Sequence, residues 1–443
     1  MARSGFEGAG ASDPTGDGGG RDGWKDVGSG VGRCTSTGNL ERSRERVGEL
    51  AWQARWFSGG FGRTFLGQDG ERVEVIQFGF WNRGAGPDFV GASVSINGAP
   101  PCRGAVELDM HAADWERHGH AGNPDYREVC LHVFVHAPAR GRFFTRTLEN
   151  RRVPQVCLRG GAQEDGEKGE GESGWFGAEA PAWPGRCSVR FSGMSLERVE
   201  AVVVEAARRR FERKGREFSR MANGHGRREA LYQLLAAGMG YAGNELPFTL
   251  LSQRLPVSAL SGAPAGGEGA LFGVAGFLSA PSFWECGPDA REKVQALWEG
   301  WWRVRGELEG VGLDRGLWRL AGRRPLNHPQ RRLGALAAVV RHWRAVFGAW
   351  DRRDWRGLRE RLLSLSDPFW ERHCRLEGGE LKRGARLLGR ERVDALFANA
   401  FFPAAGDWEG WCRWGGGGMN ERCRRALARM FPGRREVWGR MGR

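Results

Sequence analysis

The stretch from Val73 to His136 decides the fold of the N-terminal half, because short apolar runs alternate there with turns. Four runs stand out: Val73-Glu-Val-Ile-Gln-Phe78, Ala92-Ser-Val-Ser-Ile96, Ala105-Val-Glu-Leu108 and Val129-Cys-Leu-His-Val-Phe-Val135. They are rich in β-branched residues and bounded by Gly, Pro or Asn, which is typical of strands. Residues 45–56 before them carry apolar residues at helical spacing. The order predicts a helix, three strands, a short helix or loop and a last strand.

The rest of the chain divides by composition. Residues 1–45 are rich in Gly, Ser, Asp and Arg and predict a disordered tail, and the acidic, apolar-poor run of 161–189 predicts a linker. We therefore expect an α+β protein, in which a small mixed-sheet domain at 46–160 precedes an all-α domain at 190–443. The helical spacing rests on three sets of residues, whose tryptophans we expect to pack in the core: Val199, Val202, Val203 and Ala206; Val294, Leu297, Trp298 and Trp301; and Leu333, Leu336, Val340, Trp343 and Phe347.

Composition limits the class of protein. The 443 residues include no apolar run of about 18 and no apolar segment of a secretory signal, so we expect a cytoplasmic protein without a membrane span. Nine cysteines without a Cys-x-x-Cys pair argue against a disulfide framework or a zinc ribbon. The 67 Lys and Arg against 53 Asp and Glu give a net charge of +14, mostly from arginine. That charge suits a DNA or RNA partner, although a GC-rich coding sequence also produces arginine.

Three carboxylates in the decisive stretch predict a metal site. Asp88 follows a proline in Gly86-Pro-Asp-Phe89, and Glu107 and Asp109 share one strand face because side chains alternate along a strand. This arrangement resembles the PD-(D/E)XK core of restriction-endonuclease-like proteins. The resemblance implies that Asp88 and Glu107 hold Mg²⁺ or Mn²⁺, with Glu49 on the preceding helix completing the shell. Asp109 stands where such nucleases usually carry lysine, so it can support a metal or its water but supplies no positive charge.

Each carboxylate also has a structural explanation. Gly-Pro-Asp-Phe is a good turn sequence, in which Asp88 closes a loop. Glu107 and Asp109 would equally suit an exposed strand face.

The histidines indicate a second kind of metal chemistry. His111, His118 and His120 follow the glutamate strand, and we expect at least one of them to approach the carboxylates. His118 and His120 with Asp88 would make a zinc or manganese site, because imidazole is a common ligand of those metals. His132, within an apolar strand, favours a structural role. Asp114-Trp115 is typical of a helix N-cap followed by a packed aromatic residue.

Motifs in both halves together resemble the bacterial family known as domain of unknown function 2851. The resemblance covers about 46–443 and implies a fold but no established activity. Members commonly carry histidine two residues after the motif glutamate, where this chain has Asp109. The motifs are Gly86-Pro-Asp-Phe89, Gly104-Ala-Val-Glu107, Asp114-Trp-Glu-Arg-His-Gly-His120, Glu229-Ala-Leu-Tyr232, Arg254-Leu-Pro256, Arg324-Pro-Leu-Asn-His-Pro329 and Phe402-Pro403.

The sequence leaves three functions open. The leading hypothesis is a metal-dependent nuclease-like enzyme with catalytic residues Asp88, Glu107 and Asp109. The second is a non-catalytic scaffold that binds nucleic acid or protein on a degenerate nuclease core. The third is a zinc or manganese hydrolase that uses the His118 and His120 cluster. We expect His111, His118, His120, Asp114 and Trp115 to be supporting residues of the candidate site.

Overall fold

The computed structural model describes residues 48–82, 84–137, 143–159, 196–240, 243–261, 267–278, 286–308, 310–321 and 324–414. The predicted tail at 1–45 and the predicted linker at 161–189 lie outside these residues.

A seven-stranded mixed sheet forms the N-terminal part. The strands pair in the order β1-β2-β4-β5-β6-β7, with β3 also on β4. The pairs β5–β6 and β6–β7 are parallel and the others antiparallel. All four strands predicted from the sequence belong to this one sheet. The bounds are β1 Thr64–Leu66, β2 Arg72–Gln77, β3 Phe80–Trp81, β4 Phe89–Ile96, β5 Cys102–His111, β6 Val129–His136 and β7 Gln155–Cys157.

The two faces of this sheet have different surroundings. On β5, Val106 and Leu108 are fully buried in the main hydrophobic core, so Glu107 and Asp109 lie on the opposite face. A smaller apolar cluster covers part of that opposite face and includes Trp115. The carboxylates are therefore buried under a local cover and not under the helical part of the molecule.

Helices make up the remainder, and the described residues after 196 contain no strand, which confirms the α+β class. The helix predicted near residue 50 is present at 48–57 and packs on the core face of the sheet through Trp56 and Phe57. The further α-helices are Asp114–Arg117, Leu196–His225, Arg227–Gly240, Glu245–Arg254, Val257–Ser261, Gly267–Val274, Pro288–Leu308, Pro329–Arg341, Trp343–Asp351, Trp355–Ser364, Pro368–Arg372, Arg390–Leu396, Phe402–Ala405 and Trp408–Arg413.

Trp343 is fully buried, which confirms the core role expected for this helical tryptophan. The apolar face expected at Val199, Val202, Val203 and Ala206 is not buried at the positions where exposure is described, since Val202 is 42% exposed and Ala206 is also exposed. The helix Leu196–His225 instead packs through its later turns, where Phe211 contacts Trp408. No helix among the described residues is both long and apolar enough to cross a membrane.

Candidate metal centre

A tight turn places Asp88 at the end of the β4–β5 ladder. Gly86 has a φ of +107°, a conformation that favours glycine, and Pro87 then directs the chain into β4. The backbone N–H of Asp88 donates to Glu107 Oε2 at 2.9 Å. In return, Asp88 Oδ2 accepts from the backbone N–H of Leu108 at 3.0 Å. Two predicted metal ligands therefore lie side by side, and each carboxylate fixes the backbone next to the other.

Glu107 and Asp109 are both buried, at 6% and 1% exposure. Imidazoles approach Asp109 from two sides. His118 Nδ1 lies 3.3 Å from Oδ1, and His132 Nε2 lies 3.2 Å from Oδ2. His120 Nδ1 lies 3.5 Å from Glu107 Oε1. The expected exposed strand face is therefore wrong for these two carboxylates.

The histidines form a group around Asp109. Ligand atoms of Asp109, His118 and His120 all lie within 4.8 Å of one another. The sequence paired the histidines with Asp88, but the short helix Asp114–Arg117 carries the chain back over Asp109 instead. His111 does not join them, because its exposed ring stacks on His136 with 5.0 Å between ring centroids.

Asp114 and Trp115 belong to the segment that covers the site. Asp114 accepts the backbone N–H of His111 at 2.9 Å, and its side chain does not cap the helix, whose N-cap is Ala113. The predicted capping role is therefore wrong: the carboxylate turns back along the chain instead of toward the first helical turn. Trp115 is fully buried, as expected, and donates its indole N–H to the carbonyl of Arg146 at 3.0 Å.

His132 has a defined partner for each ring nitrogen. Its Nδ1 lies 2.6 Å from Thr145 Oγ1, and Thr145 Oγ1 also accepts from Gln155 Nε2 at 2.7 Å. Its Nε2 faces Asp109. The structural role expected for His132 is therefore to connect Asp109 with the buried polar residues Thr145 and Gln155.

Burial shifts the proton affinity of the site strongly. Removal from water raises the pKa of Asp88 to about 8, opposed by the hydrogen bond from Leu108 and reinforced by the nearby charges of Glu49 and Asp109. Burial, followed by the charges of Asp88 and Asp109, raises the pKa of Glu107 well above its usual value. Burial lowers the pKa of His120 to about 4, so its imidazole is neutral at pH 7.

An open cleft of about 250 Å³ lies beside Asp88. Asp88 and Glu49 line it, and Gln53, beside Glu49 on the first helix, hydrogen-bonds to Asp88. Arg254 lines the same cleft from the helical part and lies over the ring of Trp81, 4.9 Å from its centre. Sequence reasoning did not assign Arg254 to the site, although the motif Arg254-Leu-Pro256 contains it, because no local spacing relates it to Asp88.

These residues suit a bound cation. Carboxylates that lie close together and away from water repel one another, and a divalent ion removes that repulsion. His120 Nδ1 is buried without a hydrogen-bond partner, and it faces Glu107 and Asp109 at 3.5 and 4.0 Å. An imidazole nitrogen that carries no proton has a lone pair available to a metal. Asp88, Glu107 and Glu49 would supply oxygen ligands, and Asp109, His118 and His120 would supply a mixed set.

Comparison with known proteins gives a family and no further detail. No curated protein and no solved structure matches the chain. The model of one family matches residues 45–408, well over half of the chain. The chain therefore belongs to the family described as "Protein of unknown function (DUF2851)".

Proposed function

We propose that this protein is a metal-dependent phosphodiesterase of the nuclease type, acting on DNA or RNA. The observation that carries the proposal is the pairing of Asp88 with Glu107 at the end of the β4–β5 ladder, where burial and the charges of nearby carboxylates raise the pKa of both carboxyls. Perturbed carboxyl groups beside a cleft are typical of active sites. An Mg²⁺ or Mn²⁺ ion held by Asp88, Glu107 and Glu49 would relieve this repulsion.

The chemistry follows from what the residues offer. A divalent ion at Asp88 and Glu107 would polarise a water molecule and neutralise charge on a phosphate oxygen. Asp109 would support that ion or its water. In phosphodiester cleavage the water oxygen bonds to phosphorus as the P–O bond to the leaving group breaks. The proton of the water passes to a neighbouring carboxylate, and the leaving oxygen takes up a proton from solvent.

Positive charge in place of the usual lysine comes from another part of the chain. Arg254 lines the cleft beside Asp88, and its guanidinium is held by the carbonyl oxygen of Gly312 at 3.1 Å and by the ring of Trp81. Guanidinium groups bind phosphate oxygens in a bidentate manner. We propose that Arg254 holds the phosphate that faces the metal.

A second candidate is a zinc or manganese hydrolase. The specific observation in its favour is the group of Asp109, His118 and His120, which offers two nitrogens and an oxygen within reach of one ion. Mixed nitrogen and oxygen ligands favour Zn²⁺ or Mn²⁺ over Mg²⁺, which prefers oxygen and retained water. Metal content of the purified protein separates the two candidates.

The decisive experiment combines cleavage with metal analysis. Purified protein is incubated with single- and double-stranded DNA and RNA, with and without Mg²⁺ or Mn²⁺. We expect metal-dependent cleavage that Asp88→Asn and Glu107→Gln each reduce by at least about a hundredfold, since one group of a catalytic set commonly contributes that much. Glu74→Gln, a change at an exposed carboxylate on β2, is the matched control and should leave cleavage unchanged.

Two results would contradict the proposal. Cleavage that survives both site variants would come from a contaminating nuclease. Salt-sensitive nucleic-acid binding without turnover and without a metal requirement would favour the scaffold on a degenerate core.

A further inference from the structure

An exposed aromatic residue lies on the same sheet face as the carboxylates. Phe80 on β3 is 62% exposed, and its direct cross-strand partner Val90 on β4 is 39% exposed. Their neighbours along the strands, Trp81 and Phe89, are buried in the main core. Phe80 and Val90 therefore belong to the opposite face of the sheet, and this part of the face is open to solvent.

Register relates this open part to Glu107. Phe89 pairs with Val106 on β5, and both are buried in the main core, so the next residues, Val90 and Glu107, both lie on the opposite face. Phe80 is two strands away from Glu107 and two residues away along the strands, which corresponds to about 12 Å between their Cα atoms at the usual spacings. The aromatic ring is thus next to the candidate metal centre and outside its buried part.

A cation completes the surface. Arg103 precedes Glu107 by four residues on β5, on the same face, at about 13 Å along the strand. It is exposed. An exposed aromatic ring with a nearby cation is the combination that binds single-stranded nucleic acid, because the ring stacks on a base and the cation meets the backbone phosphate.

We infer that this open part of the sheet face, formed by Phe80, Val90 and Arg103, binds unpaired nucleotides, with a base stacked on Phe80 and the adjoining phosphodiester directed toward Asp88 in the open cleft. The inference rests on the proposed function and names its substrate class as single-stranded nucleic acid. A duplex does not suit this surface, because its bases already stack on one another and hide their faces from a protein side chain. The chemistry of a stacked base is common to DNA and RNA, so both belong in the test.

Binding and turnover are measured separately. Fluorescently labelled single-stranded and blunt-ended double-stranded oligonucleotides of DNA and of RNA are titrated with the full chain, with Ca²⁺ replacing Mg²⁺, and anisotropy gives Kd. We expect Phe80→Ala to weaken single-strand binding about tenfold to a hundredfold. Phe80→Trp should retain it, and the duplex should bind more weakly and respond little. Leu66→Ala, at another exposed apolar residue on the sheet, is the matched control.

An abasic series locates the contact. One nucleotide at a time is replaced by an abasic residue, and each oligonucleotide is titrated against the natural protein and Phe80→Ala. We expect one abasic position to weaken binding to the natural protein while having no further effect on Phe80→Ala, because both changes remove the same stack. Additive losses at every position would overturn the inference.

The remaining outcomes separate this inference from the proposed function. Single-strand binding that depends on Phe80, without turnover, supports the inference and contradicts the nuclease proposal. Metal-dependent cleavage with equal binding of single strands and blunt duplexes, unaffected by Phe80→Ala, overturns the inference alone. Concentration-dependent self-association that Phe80→Ala abolishes, with no effect on oligonucleotides, also overturns it and assigns the surface to a second copy of the chain.

Discussion

Burial raises the pKa of Asp88 to about 8 and that of Glu107 well above its usual value. A metal ion binds the ionised carboxylates, so it competes with protons for both groups. We therefore expect the affinity for Mg²⁺ or Mn²⁺ to rise by at least about tenfold per pH unit as the pH increases through neutrality. Calorimetric titration in buffers of different ionisation enthalpy measures both the affinity and the proton released.

Asp88→Asn is the control for this pH dependence. The amide has no proton to lose, so whatever metal binding remains should release fewer protons and depend less on pH. Equal affinity at pH 6 and pH 8 in the natural protein would show that Asp88 is not a ligand.

His132 is expected to contribute chiefly to stability. Its ring is fully buried and bonds to Thr145 on one side and Asp109 on the other, so His132→Ala removes one hydrogen bond from each of two buried polar groups and leaves a cavity between them. We expect the free energy of unfolding to fall by about 2–5 kcal/mol. Urea denaturation followed by circular dichroism measures this change.

His118 provides the comparison. Its side chain is 42% exposed and also approaches Asp109. His118→Ala should alter the free energy of unfolding by no more than about 0.5 kcal/mol, as is usual for exposed positions. Bound zinc or manganese, measured by elemental analysis, should fall in this variant. Full metal retention in both His118→Ala and His120→Ala would exclude the mixed-ligand site.

The turn before β4 decides where Asp88 lies. Gly86 has a positive φ, and a Cβ there would lie 3.3 Å from the Cβ of Asp125. Gly86→Ala should therefore cost at least about 1 kcal/mol and shift Asp88, so metal affinity should fall with it. Gly84→Ala is the control two residues earlier, because a Cβ at Gly84 meets nothing within 4 Å. Equal metal affinity in both variants would separate the turn from the site.

The sequence predicted the strands that are long and rich in β-branched residues, and it missed the short strands β1, β3 and β7. Two or three residues are too few to show a period, and their pairing depends on the longer strands beside them. Side-chain alternation on β5 correctly predicted that Glu107 and Asp109 share a face. It could not predict their burial, because the cover comes from Trp115 and the residues that follow it.

The sequence also did not predict which residues far apart in the chain lie close together in the structure. The histidine group around Asp109 depends on the path of a loop, which residue spacing alone does not determine. Arg254 reaches the cleft from a helix of the other half, and no local pattern links it to Asp88. Such contacts follow from how elements pack, and they appear in the sequence only as isolated motifs.

The sheet and the helices share one hydrophobic core. The first helix, at 48–57, lies between them: the carbonyl of Ala54 accepts from Gln253 Nε2 at 3.0 Å, and the carbonyl of Phe57 lies 2.7 Å from His225 Nε2. The ring of Phe57 stacks on His225 with 4.1 Å between ring centroids. Arg254 adds a contact with Trp81 of the sheet. The candidate site therefore depends on both parts of the molecule for its geometry.

From this shared core we expect the sheet and the helices to unfold in one transition. Phe57 contributes its buried ring to both parts, so Phe57→Ala should lower the free energy of unfolding by about 3–5 kcal/mol and destabilise both together. Hydrogen exchange followed by mass spectrometry at increasing urea measures each part separately. Peptides from β5 and from the helix Pro329–Arg341 should lose protection at the same urea concentration, before and after the substitution. If β5 exchanges at clearly lower urea than the helix, the sheet is an independent unit, and a fragment covering 46–160 should then fold and bind metal alone.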